Sequence, residues 1–267
     1  MIRDITLGQY FAGNSILHKI DPRTKILSTV VYILVLFLFD NFLCYAINFL
    51  VIFALYSRCK ISLKMMLNNI KPVLPILIFT SIINLFTIKD GEVIFSVWIF
   101  SVTDRSILFI LMIFLRIVLL IFSSSLLTYT TLPIDLTYGM ERILKPLSKI
   151  KFPVDEISMM ISIAIRFVPT LVSETEKIIS AQKSRGVDME SGNIVKKVKC
   201  MIPILIPLFV SAFRRADELA MAMESRCYRV GENRTRYKKL QFCHLDLIFL
   251  GGFLAVVVAL MLVNLFL

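Results

Sequence analysis

Ser106–Thr128 reads SILFILMIFLRIVLLIFSSSLLT, an apolar run broken by one charge, Arg116, and free of glycine and proline. A helix of ~20 such residues crosses the hydrocarbon core of a bilayer, whereas a soluble helix shows only one apolar stripe. Four more runs share this character: Ile26–Phe39, Phe42–Tyr56, Pro72–Ile88 and Leu245–Leu267. They predict an all-α integral membrane protein with about five transmembrane helices. The 57% hydrophobic fraction and mean hydropathy of +0.80 agree, since one soluble core has no use for so much apolar surface. The first run follows Arg23 and Lys25 in the manner of a signal peptide. No small-x-small cleavage site succeeds it, so it reads as a retained span.

Only Asp40-Asn41 separates the first two runs, which are therefore either a tight helical hairpin or one long kinked helix. Charge discriminates. In the hairpin, Arg3, Lys19, Arg23 and Lys25 share a side with Arg58, Lys60, Lys64 and Lys71, and with everything after Thr130. The other side holds Asp40-Asn41 and the mixed charges Lys89, Asp90, Glu92, Asp104 and Arg105. The positive-inside rule then favours the hairpin, with the N-terminus cytoplasmic. The net charge of +11 is thus concentrated between spans, within reach of anionic headgroups and acidic partner surfaces.

From Thr131 to His244 charges and prolines become frequent and the apolar spacing is helical, with no strand alternation. The expected division is residues 1–130 as N-terminal segment and spans one to four, 131–244 as a cytoplasmic helical domain, and 245–267 as the last span. Pro133 begins a helix that runs towards Leu144 and is disrupted at Pro146. A second starts at Pro153, with Asp155 and Glu156 suiting its dipole, kinks at Pro169 and ends at Ser184-Arg185-Gly186, where Gly186 supplies a left-handed C-cap. A third starts near Ile194, passes Pro203 and Pro207 and ends at Ser225-Arg226-Cys227. Its stretch Met201–Phe213 is too short and too proline-rich for a sixth span, and fits an interfacial or protein-buried segment.

The two long helices form a loose repeat: an apolar, proline-containing half, a charged half, and a terminal arginine between small residues. One such arginine could serve merely to neutralise a helix C-terminus, worth about 0.3–1 kcal/mol. A guanidinium flanked by small residues is equally suited to a forked pair with a carboxylate in a partner's groove. The recurrence points to a partner with two grooves.

Several chemistries find no motif. No Gly-x-x-x-x-Gly-Lys-Ser/Thr loop, His-Glu-x-x-His helix or Gly-x-Ser-x-Gly elbow occurs. Cys44, Cys59, Cys200, Cys227 and Cys243 make no Cys-x-x-Cys pair, and His18 and His244 lie far apart, so neither a disulfide framework nor a metal site is expected. The basic run Arg234, Arg236, Lys238, Lys239 has Tyr237 as its only aromatic and reads as a headgroup anchor, not a nucleic-acid surface. Arg116, central in a span, must face protein, either as a contact to a partner subunit or to an internal polar group such as a carbonyl.

The chain resembles the transmembrane T component of energy-coupling factor (ECF) transporters, a family that includes the membrane subunit of cobalt permeases. The resemblance rests on Gly13-Asn14-Ser15 with His18-Lys19-Ile20-Asp21-Pro22-Arg23-Thr24-Lys25, Arg166-Phe167-Val168-Pro169, Ala181-Gln182-Lys183-Ser184-Arg185-Gly186, and Ala222-Met223-Glu224-Ser225-Arg226-Cys227-Tyr228-Arg229, in that order. It implies that Ser184, Arg185, Gly186 and Ser225, Arg226, Cys227 end coupling helices docked on two ATP-binding-cassette ATPases, which carry the ATP and magnesium. A small membrane substrate-binding (S) component would capture a vitamin or other micronutrient, and Arg116 would contact it or an internal polar group. The implied setting is the plasma membrane of a prokaryote, with no enzymatic site, cofactor or nucleic acid on this chain. A dedicated cobalt or nickel permease and a non-transport membrane scaffold are the alternatives. Where the family usually has Ala-Arg-Gly, the second motif reads Ser-Arg-Cys, so its tip lacks the freedom of glycine.

Overall fold

The computed structural model describes residues 10–11, 13–39, 41–87, 93–97, 100–187, 194–229 and 240–266. Arg3, Asp40, Lys89, Asp90, Glu92 and the basic run Arg234–Lys239 lie outside the described residues. The helices are α1 (Ile16–Lys19), α2 (Pro22–Phe37), α3 (Phe42–Cys59), α4 (Leu63–Ile70), α5 (Leu74–Thr87), α6 (Asp104–Thr130), α7 (Pro133–Leu144), α8 (Val154–Ser184), α9 (Ile194–Ser225) and α10 (His244–Phe266), with a 3-10 turn at Lys145–Ile150. The chain divides into two compact units, Gly8–Ile143 with Leu240–Leu267, and one containing Leu144–Lys239. The expected boundaries lay at 131 and 244. The break falls instead after α7, because α7 packs on α2: a Cβ on Gly139 would stand 2.9 Å from Ile26 Cδ1 and 3.1 Å from Pro22 Cβ.

In the first unit α6 is the central helix, and side chains bonded along it give the direction of its neighbours. Lys25 Nζ reaches Thr130 O near the end of α6, while Phe39 O accepts from Arg116 halfway along it, so α2 runs antiparallel to α6. Tyr45 Oη meets Arg116 and Tyr56 Oη donates to Phe122 O, so α3 runs parallel to α6. The segments α2 and α3 are therefore a hairpin of opposed helices and not one kinked rod. Asp246 accepts from Asp21 N and Asn264 from Asn41 Nδ2, which lays α10 alongside α2 in the same direction. Lys19, Arg23, Lys25, Arg58 and Lys60 consequently gather at one end of the unit, where α6 finishes. The core between these helices is built from Leu36, Tyr45, Ile52, Tyr56, Leu119 and Phe122.

Two features depart from the sequence reading. The segment after α5 contains a small antiparallel hairpin, β1 (Val93–Val97) and β2 (Phe100–Thr103), pairing Val93 with Thr103 and Val97 with Phe100 and bulged between Val93 and Phe95. Thr103 then caps α6 in a reciprocal box with Ser106. The second departure concerns the spans. Among the described residues, Phe42–Cys59, Asp104–Thr130, Val154–Ser184 and His244–Asn264 are long and apolar enough to cross a membrane, and up to five spans result if Lys64–Ile70 and Leu74–Leu85, bent by 53°, count as one. The number agrees with about five, but the set differs. At 16 residues α2 is only about 24 Å long, short of the ~30 Å core. In α8, by contrast, the charges collect at the two ends, so the middle is apolar except for Arg166.

Candidate functional site

The unit containing α8 and α9 carries both arginine tips. Proline at position 153 precedes α8, Asp155 and Glu156 occupy its first turn, and the helix continues through Pro169 to Ser184. Helix α9 likewise continues through Pro203 and Pro207. Among the described residues the stretch Met201–Phe213 is one part of this long helix, with Ile202, Leu205, Ile206, Phe209, Val210 and Phe213 exposed.

Both helices stop by the same device. At the end of α8, Val187 N donates to Gln182 O at 3.1 Å and Gly186 N to Lys183 O at 3.0 Å. At the end of α9, Tyr228 N donates to Met223 O at 3.0 Å and Cys227 N to Glu224 O at 2.9 Å. These paired bonds are a Schellman closure, which requires a left-handed residue just past the helix. Gly186 (φ +83°) and Cys227 (φ +56°) fill that position, leaving Arg185 and Arg226 as the equivalent C-cap residues. Glycine takes this conformation freely, whereas a residue with a Cβ bears about 1–2 kcal/mol of strain. Cys227 nevertheless adopts it. All six tip residues, Ser184, Arg185, Gly186, Ser225, Arg226 and Cys227, are exposed.

The tips are not brought together. Glu174 of α8 accepts hydrogen bonds from Ser211 Oγ and, at 2.8 Å, from Arg215 Nη2 of α9, while Gln182 further along α8 meets Pro203 earlier in α9. Ascending positions on one helix thus face descending positions on the other, and the pair is antiparallel. Each arginine lies roughly 16 Å along its helix from the Glu174–Arg215 contact, in opposite directions, so the tips are separated by up to about 33 Å. One chain therefore presents two congruent arginine tips at two distant points.

The residues that lock this geometry were not singled out from the sequence. Pro207 has no N–H, so the carbonyl of Pro203, four residues earlier, loses its helical partner. Gln182 Nε2 donates to that carbonyl at 3.4 Å, and Gln182 is buried three residues before Arg185. The i, i+4 spacing of the two prolines was the available signal for a carbonyl needing a donor. Nothing local marked Gln182 as its source.

The N-terminal motif lies in the other unit and fastens helices. Lys25 Nζ donates to Thr130 O (3.0 Å) and Thr131 Oγ1 (3.2 Å), satisfying carbonyl and hydroxyl groups at the end of α6. Asp246 accepts from Asp21 N and Cys243 N, each at 2.7 Å, joining the starts of α2 and α10. His18 bridges Ser15 Oγ and the Phe11 carbonyl through its two ring nitrogens. Arg116 donates from Nε to Tyr45 Oη (2.9 Å) and from Nη2 to Phe39 O (2.9 Å) and Tyr45 Oη (2.6 Å), with its guanidinium 5.8 Å from the Phe37 ring centre. Its charge is thereby directed to internal acceptors. Among the described residues no group of three or more His, Cys, Asp or Glu side chains could hold a metal ion.

Comparison with known proteins adds the family. The sequence profile of CbiQ, described as a cobalt transport protein, matches residues 13–237. The energy-coupling factor transporter transmembrane protein EcfT of Ruminiclostridium cellulolyticum is 51% identical over 94% of both chains. Proteins with the same name from Clostridium kluyveri (47% identical, 93% of this chain and 92% of the relative) and Bacillus subtilis (42%, 90% and 91%) align over a similar extent.

Proposed function

This chain belongs to the CbiQ family of transmembrane transport proteins, alongside the EcfT proteins, and on that premise we propose that it couples ATP hydrolysis by two partner ATPases to substrate release from a third subunit. The observation that carries this reading is the pair of congruent, exposed arginine tips at opposite ends of the antiparallel α8–α9 pair. Two separated and chemically equal tips suit two equal grooves, each offering a carboxylate to the guanidinium and room for the small residues beside it. ATP and magnesium belong to those partners, and this chain holds neither.

In this reading both tips face the cytoplasm of a prokaryotic cell, so α8, although long and apolar enough to cross a membrane, lies along its surface and not through it. The exposed apolar row on α9, from Ile202 to Phe213, offers a membrane-embedded S component a surface without charge. Closure of the ATPases would move the tips, and the linked apolar halves would tilt or squeeze the S component to discharge a vitamin or other micronutrient inward. Such transmission requires the helices to make different contacts in the two ATPase states, because a partner that binds both states equally shifts nothing. The EcfT names of the relatives favour a shared energy-coupling module over a dedicated metal permease.

The test is Arg185→Ala combined with Arg226→Ala in the reconstituted complex. Loss of ATPase co-purification and of ATP-dependent uptake is expected, with each single variant retaining part of both. Unchanged assembly and uptake in the double variant would refute docking through the tips.

A further inference from the structure

The residues from Lys145 to Pro153 join α7 to α8, and every one of them is exposed. Lys145–Ile150 form the 3-10 turn, in which three residues complete one turn and side chains three apart eclipse each other. Leu147 and Ile150 therefore share a face, with 80% of Ile150 free, and Phe152 follows them, 46% exposed. Lys145, with Ser148, and Lys149, with Pro146, take the other two faces, and Lys151 turns the chain at φ +62°. Single exposed apolar side chains are ordinary on a protein surface. Three of them on one short turn, interleaved with lysines, form an amphipathic patch.

Charge and connectivity indicate what this patch meets. Between Glu141 and Asp155 the sequence carries Arg142, Lys145, Lys149 and Lys151 and no acidic residue. Among the described residues none of the three lysines forms an ion pair. The polar groups of the turn are bonded locally: Ser148 Oγ donates to Lys145 O at 2.7 Å, Lys151 N to Ser148 O at 3.1 Å and Val154 N to Phe152 O at 2.9 Å. Such bonding lowers the cost of bringing backbone against hydrocarbon. The chain itself sets the depth. Ile143 borders a hollow with Arg23 and Phe242 at the basic end of the spans, where headgroups begin. Lys145, two residues further on, lies within ~7 Å of Ile143, and the turn beyond it advances about 12 Å, so the whole segment stays within reach of the headgroups.

We propose that Lys145–Pro153 docks on the anionic lipid surface at the basic end of the spans, with Leu147, Ile150 and Phe152 entering the boundary between headgroups and acyl chains and Lys145, Lys149 and Lys151 resting among the phosphates. A lipid interface supplies both layers at once: hydrocarbon for the apolar face and negative charge for the ammonium groups, which lysine reaches by extending its apolar stem. Docking holds the start of α8 at that surface.

The proposal does not rest on coupling to ATPases and is tested on the full chain alone, in nanodiscs of phosphatidylethanolamine and phosphatidylglycerol. Trp98, the one tryptophan in the sequence, is replaced by phenylalanine, and Ile150→Trp or Ser148→Trp then places a single fluorescent reporter on the apolar face or on a polar one. Both positions are exposed, so neither reporter displaces a core side chain. With phosphatidylglycerol brominated near the top of its acyl chains, the reporter at position 150 should be quenched about threefold more than the one at 148, because the two stand on different faces of the turn. In the Ile150→Trp background, Lys149→Gln should lower the ratio of docked to free segment about fivefold, and change of all three lysines to glutamine about a hundredfold. Exchange of phosphatidylglycerol for phosphatidylcholine should act in the same direction. Equal quenching of the two reporters, quenching of neither, or quenching that ignores both the lysines and the anionic lipid would overturn the proposal. A reporter at position 150 shielded from bromolipid and from aqueous iodide alike would overturn it too, by showing that protein covers the segment.

Discussion

Replacing Gly186 by alanine should loosen one tip and leave its counterpart alone. Gly186 has φ +83° and a Cβ there would meet nothing within 4 Å, so the substitution introduces no clash and acts through backbone conformation only. An L-residue in the left-handed region bears about 1–2 kcal/mol of strain, against which the lost flexibility of the unfolded chain returns about 0.4–1 kcal/mol. The balance is about 1 kcal/mol, or roughly fivefold in the local opening equilibrium. Two amides report it directly, Gly186 N and Val187 N, which close the tip on Lys183 O and Gln182 O. In hydrogen–deuterium exchange the peptide covering residues 182–187 should exchange about fivefold faster in Gly186→Ala, with residues 223–228 unaffected. Cys227→Gly should act in the opposite sense at the other tip, slowing exchange there by no more than the same factor. Unchanged exchange after Gly186→Ala, or faster exchange after Cys227→Gly, would refute the idea that both tips depend on a left-handed cap.

Three further outcomes follow from packing in the other unit. Arg116→Met keeps much of the side-chain volume and leaves the Tyr45–Phe39 hydrogen bond in place, so it should lower stability by about 2 kcal/mol in thermal unfolding, with Arg116→Lys losing less and the double variant with Tyr45→Phe less than additive. Asp246→Ala strands the amides of Asp21 and Cys243 and should lower stability by about 2–4 kcal/mol; Asp246→Asn, which retains one carbonyl acceptor, should recover part of that on the same scan. Gly139→Val drives side-chain atoms onto Pro22, whose ring cannot yield, and should cost about 1–3 kcal/mol, measurable as a lowered unfolding midpoint; an unchanged midpoint would mean that α7 is not tightly seated on α2.

Much of the fold was legible because its signals are local. Pro133 opens α7 and Leu144 closes it where the sequence pattern placed them, since proline lacks the N–H that a first turn does not use. Gly186 was legible as a left-handed cap for a similar reason. The hairpin of α2 and α3 followed from charge, because lysine and arginine on both flanks can share a side only if the chain turns back. The span set was less legible: whether a 16-residue helix or the middle of a charged 31-residue helix crosses a bilayer depends on helix ends, and those are set by hydrogen bonding as well as hydropathy. The β1–β2 hairpin escaped notice because its pairing joins short strands whose alternation is weak.

For the candidate site, the sequence alone determined that two arginines end two similar helices, since the cap chemistry of each tip is contained within six neighbouring residues. It could not determine where those tips stand. Their separation, the antiparallel pairing through Glu174, Ser211 and Arg215, and the service of Gln182 to the bare carbonyl of Pro203 were decided by tertiary structure. Arg116 belongs to the same class, because only packing could bring Tyr45 and the Phe39 carbonyl to a charge more than seventy residues away. The physical reason is common to all of these: a backbone cap is satisfied within its own turn, whereas a buried side-chain donor must find an acceptor on whichever helix the fold lays against it.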